Sequence, residues 1–81
     1  MMEETEIREK VKKVIIEKLG LEEDKIKDEA KYVEDLGADS LALVDIAMAL
    51  EDEFGMKIPD EDIEKITTVG STIQYIKEHL K

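Results

Sequence analysis

The spacing of apolar residues along the chain predicts helices joined by turns, and no segment shows strand-like alternation. The first helix is predicted to run from Thr5, a residue type that favours the N-cap, to Leu19, with Gly20 as its stop. Its apolar stripe recurs at helical intervals and is expected to face the core. The stripe consists of Ile7, Val11, Val14, Ile15 and the stem of Lys18, whereas Ile16 lies off it.

A long connection, residues 20–39, follows the first helix. Connections of this length are uncommon in compact domains and often have a functional role. Apolar residues are scattered along it, and we expect them to hold the connection against the core. These residues are Leu21, Ile26, Tyr32, Val33 and Leu36.

The second helix is predicted to span Ser40 to Phe54 and to end at Gly55. At about 100° per residue, one side of this helix is apolar and should face the core. That side consists of Leu43, Ile46, Ala47, Leu50 and Phe54. The other side carries a second apolar stripe between acidic residues, formed by Leu41, Val44 and Met48. Such a stripe indicates a binding surface if it is exposed. The alternative is that the long connection covers it.

Two further helices complete the predicted fold. Asp60 is predicted to cap a short third helix that carries Ile63 and Ile66, and Thr68 is predicted to cap a fourth. The apolar positions of the fourth helix are Val69, Ile73, Ile76 and Leu80. The sequence therefore predicts an all-α fold, a small four-helix bundle with three main helices, one short helix and a long first loop. Residues 1–81 are expected to form a single domain.

The charge of the chain is strongly negative and unevenly distributed. Twenty-two acids against twelve Lys and Arg residues give a net charge of −10. Residues 34–64 alone hold eleven acids and one base, Lys57, so the rest of the chain is neutral overall. This balance argues against nucleic-acid binding, which requires a basic surface. Concentrated acid favours a docking surface for basic partners, although it is also typical of a solvated surface that aids solubility.

Several kinds of chemistry are disfavoured by what the chain lacks. It has no cysteine, which excludes disulfides and thiolate metal sites. The single histidine, His79, is predicted in the last turn of the last helix, where a cation suits the helix dipole. Residues 60–71 begin like a calcium-binding loop but lack its glycine and its final glutamate, so no metal site is expected. Without an apolar span or a signal-like segment, we expect a soluble cytoplasmic protein with no membrane insertion.

Asp39 and Ser40 are adjacent residues that both favour the N-cap of the second helix, although a helix has only one N-cap. If Asp39 takes that position, Ser40 lies in the first turn with its hydroxyl exposed. Free N–H groups and the helix dipole at that end favour a phosphate. Ser40 is therefore a candidate modification site, and the alternative is that it serves only to start the helix.

Three segments occur in order along the chain: "EDLGADSL" (34–41), "ALEDEFGMKIPDED" (49–62) and "EKITTVG" (64–70). In this order and spacing they resemble acyl carrier protein of the bacterial, free-standing type used in fatty acid synthesis. The resemblance extends from the first predicted helix to the last. It implies that Ser40 receives phosphopantetheine from coenzyme A through a phosphopantetheinyl transferase (holo-acyl-carrier synthase). It also implies that Asp39 helps to position magnesium and Ser40 during loading.

The resemblance further implies two sets of binding residues on a non-catalytic, monomeric carrier. The partner-docking set is Leu41, Val44, Asp45, Met48, Glu51 and Asp52. The set around the acyl pocket is Tyr32, Ile46, Leu50, Phe54, Ile58, Ile63, Ile66 and Tyr75. The implied partners, besides the loading enzyme, are malonyl transferase, ketoacyl synthases, reductases and dehydratases.

Four positions depart from the pattern of fatty-acid carriers. Ala42 and Lys57 stand where acids are common, and Ile63 and Thr72 replace residues that are often alanine. These departures leave the acyl length, the pathway and the partner preference open. Two alternatives therefore stand beside the fatty-acid carrier. One is a carrier of a polyketide or other specialised pathway, and the other is an acidic helical adaptor that is never modified at Ser40.

Overall fold

Residues 3–80 are described in the computed structural model. The helices are α1 (Glu4–Leu19), α2 (Ser40–Phe54), α3 (Asp60–Ile63) and α4 (Val69–His79), with a single 3-10 turn at Glu23–Lys25. Within residues 3–80 there is no β-strand, and one isolated bridge joins Lys31 and Thr68. The prediction of an all-α bundle with three main helices, one short helix and a long first loop is confirmed. No helix in this range has the length and apolarity needed to cross a membrane.

The start of α1 differs from the prediction. Glu3, rather than Thr5, occupies the N-cap position, and it makes no side-chain cap hydrogen bond. The helix begins there because the Ile7 N–H donates to the Glu3 carbonyl at 3.1 Å. Glu4 and Glu6 lie in the first turn, where carboxylates are stabilised by the helix dipole, so the helix can begin without a hydroxyl cap.

The short helix α3 also starts and ends differently from the prediction. Pro59 holds its N-cap position, so Asp60 is the first helical residue and not the cap. Proline suits this position because its extended backbone (ψ 150°) leads into the helix while its carbonyl accepts the Asp62 N–H at 2.8 Å. The helix ends at Ile63, so Ile66 lies beyond it, although Ile66 is fully buried.

The core lies between α1, α2 and α4. α1 contacts both α2 and α4, and α3 contacts α2. The predicted stripe of α1 is buried at its apolar positions, and Lys18 is exposed. Ile16, predicted to lie off the stripe, is half-buried and packs against the core. Contact with two helices gives α1 a buried face wider than a single stripe.

The long connection is held by hydrogen bonds to the start of α4. The Val69 N–H donates to the Ala30 carbonyl at 3.1 Å, and the Gly70 N–H donates to the Asp28 carbonyl at 2.7 Å. Thr68 caps α4 as predicted, in a reciprocal capping box with Ser71. The first-turn N–H groups of α4, which have no partner inside the helix, are thus satisfied by the connection and by the cap.

One predicted core residue of the connection is exposed. Tyr32 is fully buried, but Val33 is 58% exposed. The difference follows from a tight turn in which the N–H groups of Asp35 and Leu36 both donate to the Lys31 carbonyl, at 2.9 and 3.1 Å. The turn directs neighbouring side chains to opposite sides, so Tyr32 faces the core and Val33 faces solvent. Ile26 and Leu36 are buried and Leu21 packs against the core, as predicted.

Candidate functional site

Asp39 is the N-cap of α2. Its backbone is extended (φ −97°, ψ −176°), and its carboxylate accepts the Ala42 N–H at 2.8 Å. Its carbonyl also accepts the Leu43 N–H at 3.0 Å, the first hydrogen bond of the helix ladder. Of the two adjacent capping residues, the aspartate therefore starts the helix. The condition under which the sequence leaves the Ser40 hydroxyl outside the cap is therefore met.

Ser40 is the first residue of α2, and it is exposed. Because Asp39 makes the cap hydrogen bond, the Ser40 hydroxyl is not needed to start the helix. The connection before it is ordered by the Ala38 N–H, which donates to the Tyr32 carbonyl at 2.8 Å, and by a left-handed Gly37 (φ 72°). The result is a primary hydroxyl on a defined helix end, where a phosphate gains from the dipole. The residues present thus fit a phosphodiester attached at this position.

The second apolar stripe of α2 is open to solvent. Leu41 is 76% exposed, Val44 40% and Met48 58%, which excludes the alternative that the long connection covers them. Large apolar side chains aligned along one helix face are an unfavourable surface unless something covers them in use. Asp45 and Asp52 are exposed beside this stripe. The structure therefore brings together an apolar stripe and an acidic border, starting one residue after Ser40.

Glu51 has a structural contact that the sequence analysis did not anticipate. It is half-buried, and its carboxylate accepts the Ile58 N–H at 2.7 Å. This bond ties the end of α2 to the segment before α3. Hydrogen bonds to a charged acceptor are stronger than those between neutral groups, so replacing Glu51 would remove this link as well as a surface charge.

The residues assigned to an acyl pocket are brought together by the fold. They come from the long connection, α2, α3, α4 and the segments on either side of α3, and they join a single apolar core. Seven of them are buried: Tyr32, Ile46, Leu50, Phe54, Ile58, Ile66 and Tyr75. The eighth, Ile63, is half-buried on the short helix and packs against the same core. These residues therefore pack together in one core beneath α2.

A hydrogen-bonded hydroxyl pair lies inside this core. Tyr32 and Thr72 are both fully buried, and their hydroxyl oxygens are 2.5 Å apart. Burial raises the pKa of Tyr32 to about 12, so its phenol stays protonated at physiological pH. From the sequence, Thr72 stands out only as a departure from alanine. Its partner is forty residues away along the chain, so no local pattern could identify the pair.

A second tyrosine links α3 to α4. The Tyr75 hydroxyl donates to the Asp62 carboxylate at 2.5 Å, and this bond holds the pKa of Asp62 below its usual 3.8. Burial, followed by the Asp62 hydrogen bond, raises the pKa of Tyr75 to about 12. The Tyr75 ring stacks on His79 at 4.1 Å, and His79 Nδ1 lies 2.9 Å from the Tyr75 carbonyl. The only histidine is thus engaged at the C-terminal end of α4, away from Ser40.

Comparison with protein families agrees with this arrangement. A family profile described as the phosphopantetheine attachment site matches residues 9–76. Because the match spans most of the chain, the protein belongs to the PP-binding family. Its prosthetic group is phosphopantetheine, held covalently, and the protein is a phosphopantetheine-bearing carrier. This finding favours a carrier over the alternative of an unmodified helical adaptor.

Proposed function

We propose that the protein is an acyl carrier of fatty acid synthesis that holds phosphopantetheine on Ser40. The observation that supports this most directly is the division of roles at the start of α2, where Asp39 caps the helix and Ser40 is left exposed. An exposed hydroxyl with no role in the cap is open to a modifying enzyme. The proposal covers a single acyl-carrier domain over residues 1–81 that works as a cytoplasmic monomer.

In the proposed loading reaction, Ser40 Oγ forms a bond to the phosphorus at the phosphopantetheine end of coenzyme A. The pyrophosphate bond to the nucleotide part breaks, the nucleotide leaves, and the hydroxyl proton is released. The side chain of Asp39 is already oriented by the Ala42 N–H. At this helix end, we propose that the Asp39 carboxylate helps to position Ser40 and the magnesium ion of the loading enzyme.

The exposed stripe is proposed as the docking surface for the loading enzyme and for malonyl transferase, ketoacyl synthases, reductases and dehydratases. Leu41, Val44 and Met48 would supply apolar contact area, and Asp45 and Asp52 would steer basic partners. Glu51 belongs to this surface by position. Its bond to Ile58 gives it a structural task that the other acids do not share.

A second candidate is a carrier of a polyketide or another specialised pathway. Ala42 follows Leu41 on α2, and the exposed Lys57 follows the same helix, so two positions that often carry acid lack it here. A partner that depends on those acids would bind this surface more weakly. The two pathways use the same loading reaction on Ser40, so a comparison of ketoacyl synthases from each pathway distinguishes them.

The test of the proposed function uses the only two serines of the chain. Wild type, Ser40→Ala and Ser71→Ala are incubated with coenzyme A, magnesium and a broad-specificity phosphopantetheinyl transferase, and intact masses are measured. We expect the phosphopantetheine adduct on wild type and on Ser71→Ala, and no adduct on Ser40→Ala. Since Asp39 caps α2, Ser40→Ala should keep its circular dichroism spectrum and melt within a few degrees of wild type. An adduct on Ser40→Ala would overturn the assignment.

A further inference from the structure

The buried hydroxyl pair has a defined direction of hydrogen bonding. Thr72 Oγ1 lies 2.9 Å from the Thr68 carbonyl, which can only accept, so the Thr72 hydroxyl donates its proton there. Thr72 Oγ1 must then accept from Tyr32, whose hydroxyl is 2.5 Å away. The chain of bonds runs from Tyr32 to Thr72 to the Thr68 carbonyl, and both hydroxyl protons are used.

This pair places two hydroxyls in the fully buried part of a largely apolar core. Among residues 3–80, Thr72 is the one buried residue outside the apolar and aromatic types, and it is fully buried together with Tyr32. The pair joins the long connection to α4. On the same side, three backbone hydrogen bonds join the connection to residues 67–70, and their donors are the N–H groups of Tyr32, Val69 and Gly70. The connection and α4 are therefore joined on that side by paired polar groups, whereas Ile58, Ile63 and Leu50 contribute apolar side chains to the core.

An acyl chain sheltered in this core would meet the pair as a barrier. To pass between Tyr32 and Thr72, methylene groups would have to break the hydrogen bond. The buried Tyr32 hydroxyl would then have no partner, since the Thr72 hydroxyl would keep only its bond to the Thr68 carbonyl. The cost of an unsatisfied buried polar group exceeds what burial of one more methylene returns. A chain would gain stability up to the pair and none beyond it.

We propose that the Tyr32–Thr72 hydroxyl pair limits the length of acyl chain that this carrier can shelter in its interior. The inference rests on the proposed function and adds two specificity-determining residues to it. Both are positioned by the fold before any acyl group is present, since each hydroxyl already has its partner.

The test measures thermal stability as a function of acyl length. Wild type and the double variant Tyr32→Phe/Thr72→Val are loaded with saturated acyl groups that increase in two-carbon steps, and the melting temperature of each form is recorded. The double variant removes both hydroxyls with little change of shape, which leaves no partner unsatisfied. We expect the wild-type melting temperature to rise with length and then level off, and the double variant to continue rising for about two further steps. Thr67→Val, which removes an exposed threonine hydroxyl nearby, is the matched control and should follow wild type.

Intact mass is recorded before each melt, so failure of the two proposals can be told apart. Absence of any adduct would overturn the proposed function, and the inference with it. Loaded proteins whose length profiles are parallel in wild type and double variant would overturn the inference alone. If the double variant does not fold, NMR of wild type decides. The Tyr32 hydroxyl proton should stay protected from exchange at every acyl length, and its loss in the long-chain forms would contradict a barrier.

Discussion

Ser40 and Asp39 illustrate what a short stretch of sequence can establish at the scale of single residues. A cap requires only a side chain and the next turn of backbone, so local sequence restricted the cap to Asp39 or Ser40, and the Ala42 N–H bond assigns it to Asp39. Contacts between distant residues could not be found in this way. Two such contacts are the Tyr32–Thr72 and Glu51–Ile58 hydrogen bonds. Both depend on how distant segments pack, and the local sequence around each residue does not indicate its partner.

The Tyr75–Asp62 hydrogen bond is expected to make stability depend on pH. The bond lowers the pKa of Asp62 below its ordinary 3.8, so its contribution is present above that value and is lost as pH falls through the folded-state pKa. Tyr75 stays protonated throughout, since its pKa is about 12. We expect Tyr75→Phe to melt below wild type near neutral pH, and the difference to shrink below about pH 4.

The measurement is a series of thermal melts between about pH 3 and pH 7 on wild type, Tyr75→Phe and Asp62→Asn. Asp62→Asn is the matched control, because its neutral amide keeps a hydrogen-bond acceptor without a titrating group. The difference between Asp62→Asn and Tyr75→Phe should change little with pH. A wild-type advantage over Tyr75→Phe that stays constant into acid would mean that the Asp62 charge does not strengthen the bond.

At the scale of elements, the order and type of the helices could be predicted because their apolar spacing is regular. The first residue of a helix was harder to predict where no side chain makes the cap hydrogen bond. α1 begins after Glu3 through a backbone bond alone, and α3 begins after Pro59, so side-chain preferences for Thr5 and Asp60 were misleading. The prediction that Thr68 caps α4 is confirmed, and it could be made because the capping box involves only residues 68–71.

The junction between the long connection and α4 leads to a prediction for Gly70. Replacing a glycine within a helix by alanine generally stabilises by about 0.5–1 kcal/mol. At Gly70 an added Cβ would lie 3.0 Å from the Asp28 carbonyl oxygen, which also accepts the Gly70 N–H. We expect Gly70→Ala to lose the usual gain and to unfold about 1 kcal/mol more easily than wild type in urea.

Gln74→Ala is the control for Gly70→Ala, since it places alanine at an exposed position of the same helix and should be close to neutral. The amide of residue 70 should also exchange faster with solvent in Gly70→Ala if the connection has moved. A more stable Gly70→Ala would mean that the connection can shift away from the added methyl group at no cost in stability. The connection would then be held less tightly than its hydrogen bonds indicate.

The exposed face of α2 supports a prediction about docking. Asp45→Lys and Asp52→Lys should each slow association with the loading enzyme, by about tenfold at low salt, because charges at the edge of an interface mainly change the association rate. The wild-type rate should itself fall with added salt, which screens exposed charges over about 8–10 Å. Stopped-flow measurement of association gives both quantities.

Glu17→Lys, a charge reversal on the exposed surface of α1, is the control for the docking variants. It changes the net charge equally but lies outside the proposed surface, so its rate should stay close to wild type. Glu51→Lys is a poor probe because it also breaks the bond to Ile58. Association that is insensitive to both salt and charge reversal would leave the apolar stripe alone as the docking surface.

At the scale of the whole molecule, charge is the dominant feature. The chain carries a net charge of −10, and residues 34–64, with eleven acids and one base, account for all of it. In the part of the chain that the structure describes, ion pairs involve two of these eleven, Glu34 with Lys31 and Asp62 with Lys65. The fold therefore gathers like charge around α2 and α3 with little opposite charge to offset it.

This distribution predicts that cations stabilise the protein. Self-repulsion among like charges destabilises a compact state, so millimolar magnesium at low ionic strength should raise the melting temperature. For a domain of this size, about 1 kcal/mol of stabilisation corresponds to a rise of about 4–8 °C. Sodium chloride at much higher concentration should produce a similar rise by screening.

The double variant Asp52→Asn/Glu53→Gln distinguishes repulsion from other effects of the ion. It removes two neighbouring charges from α2 without lengthening or shortening either side chain. If repulsion is the cause, the variant should melt above wild type at low salt and gain less from magnesium, because part of the repulsion is already gone. The higher melting temperature and the smaller gain from magnesium must occur together, since both measure the same repulsion between carboxylates. A wild-type melting temperature that is unchanged or lower with magnesium would show that the acids are spaced widely enough on the surface for solvent alone to screen them.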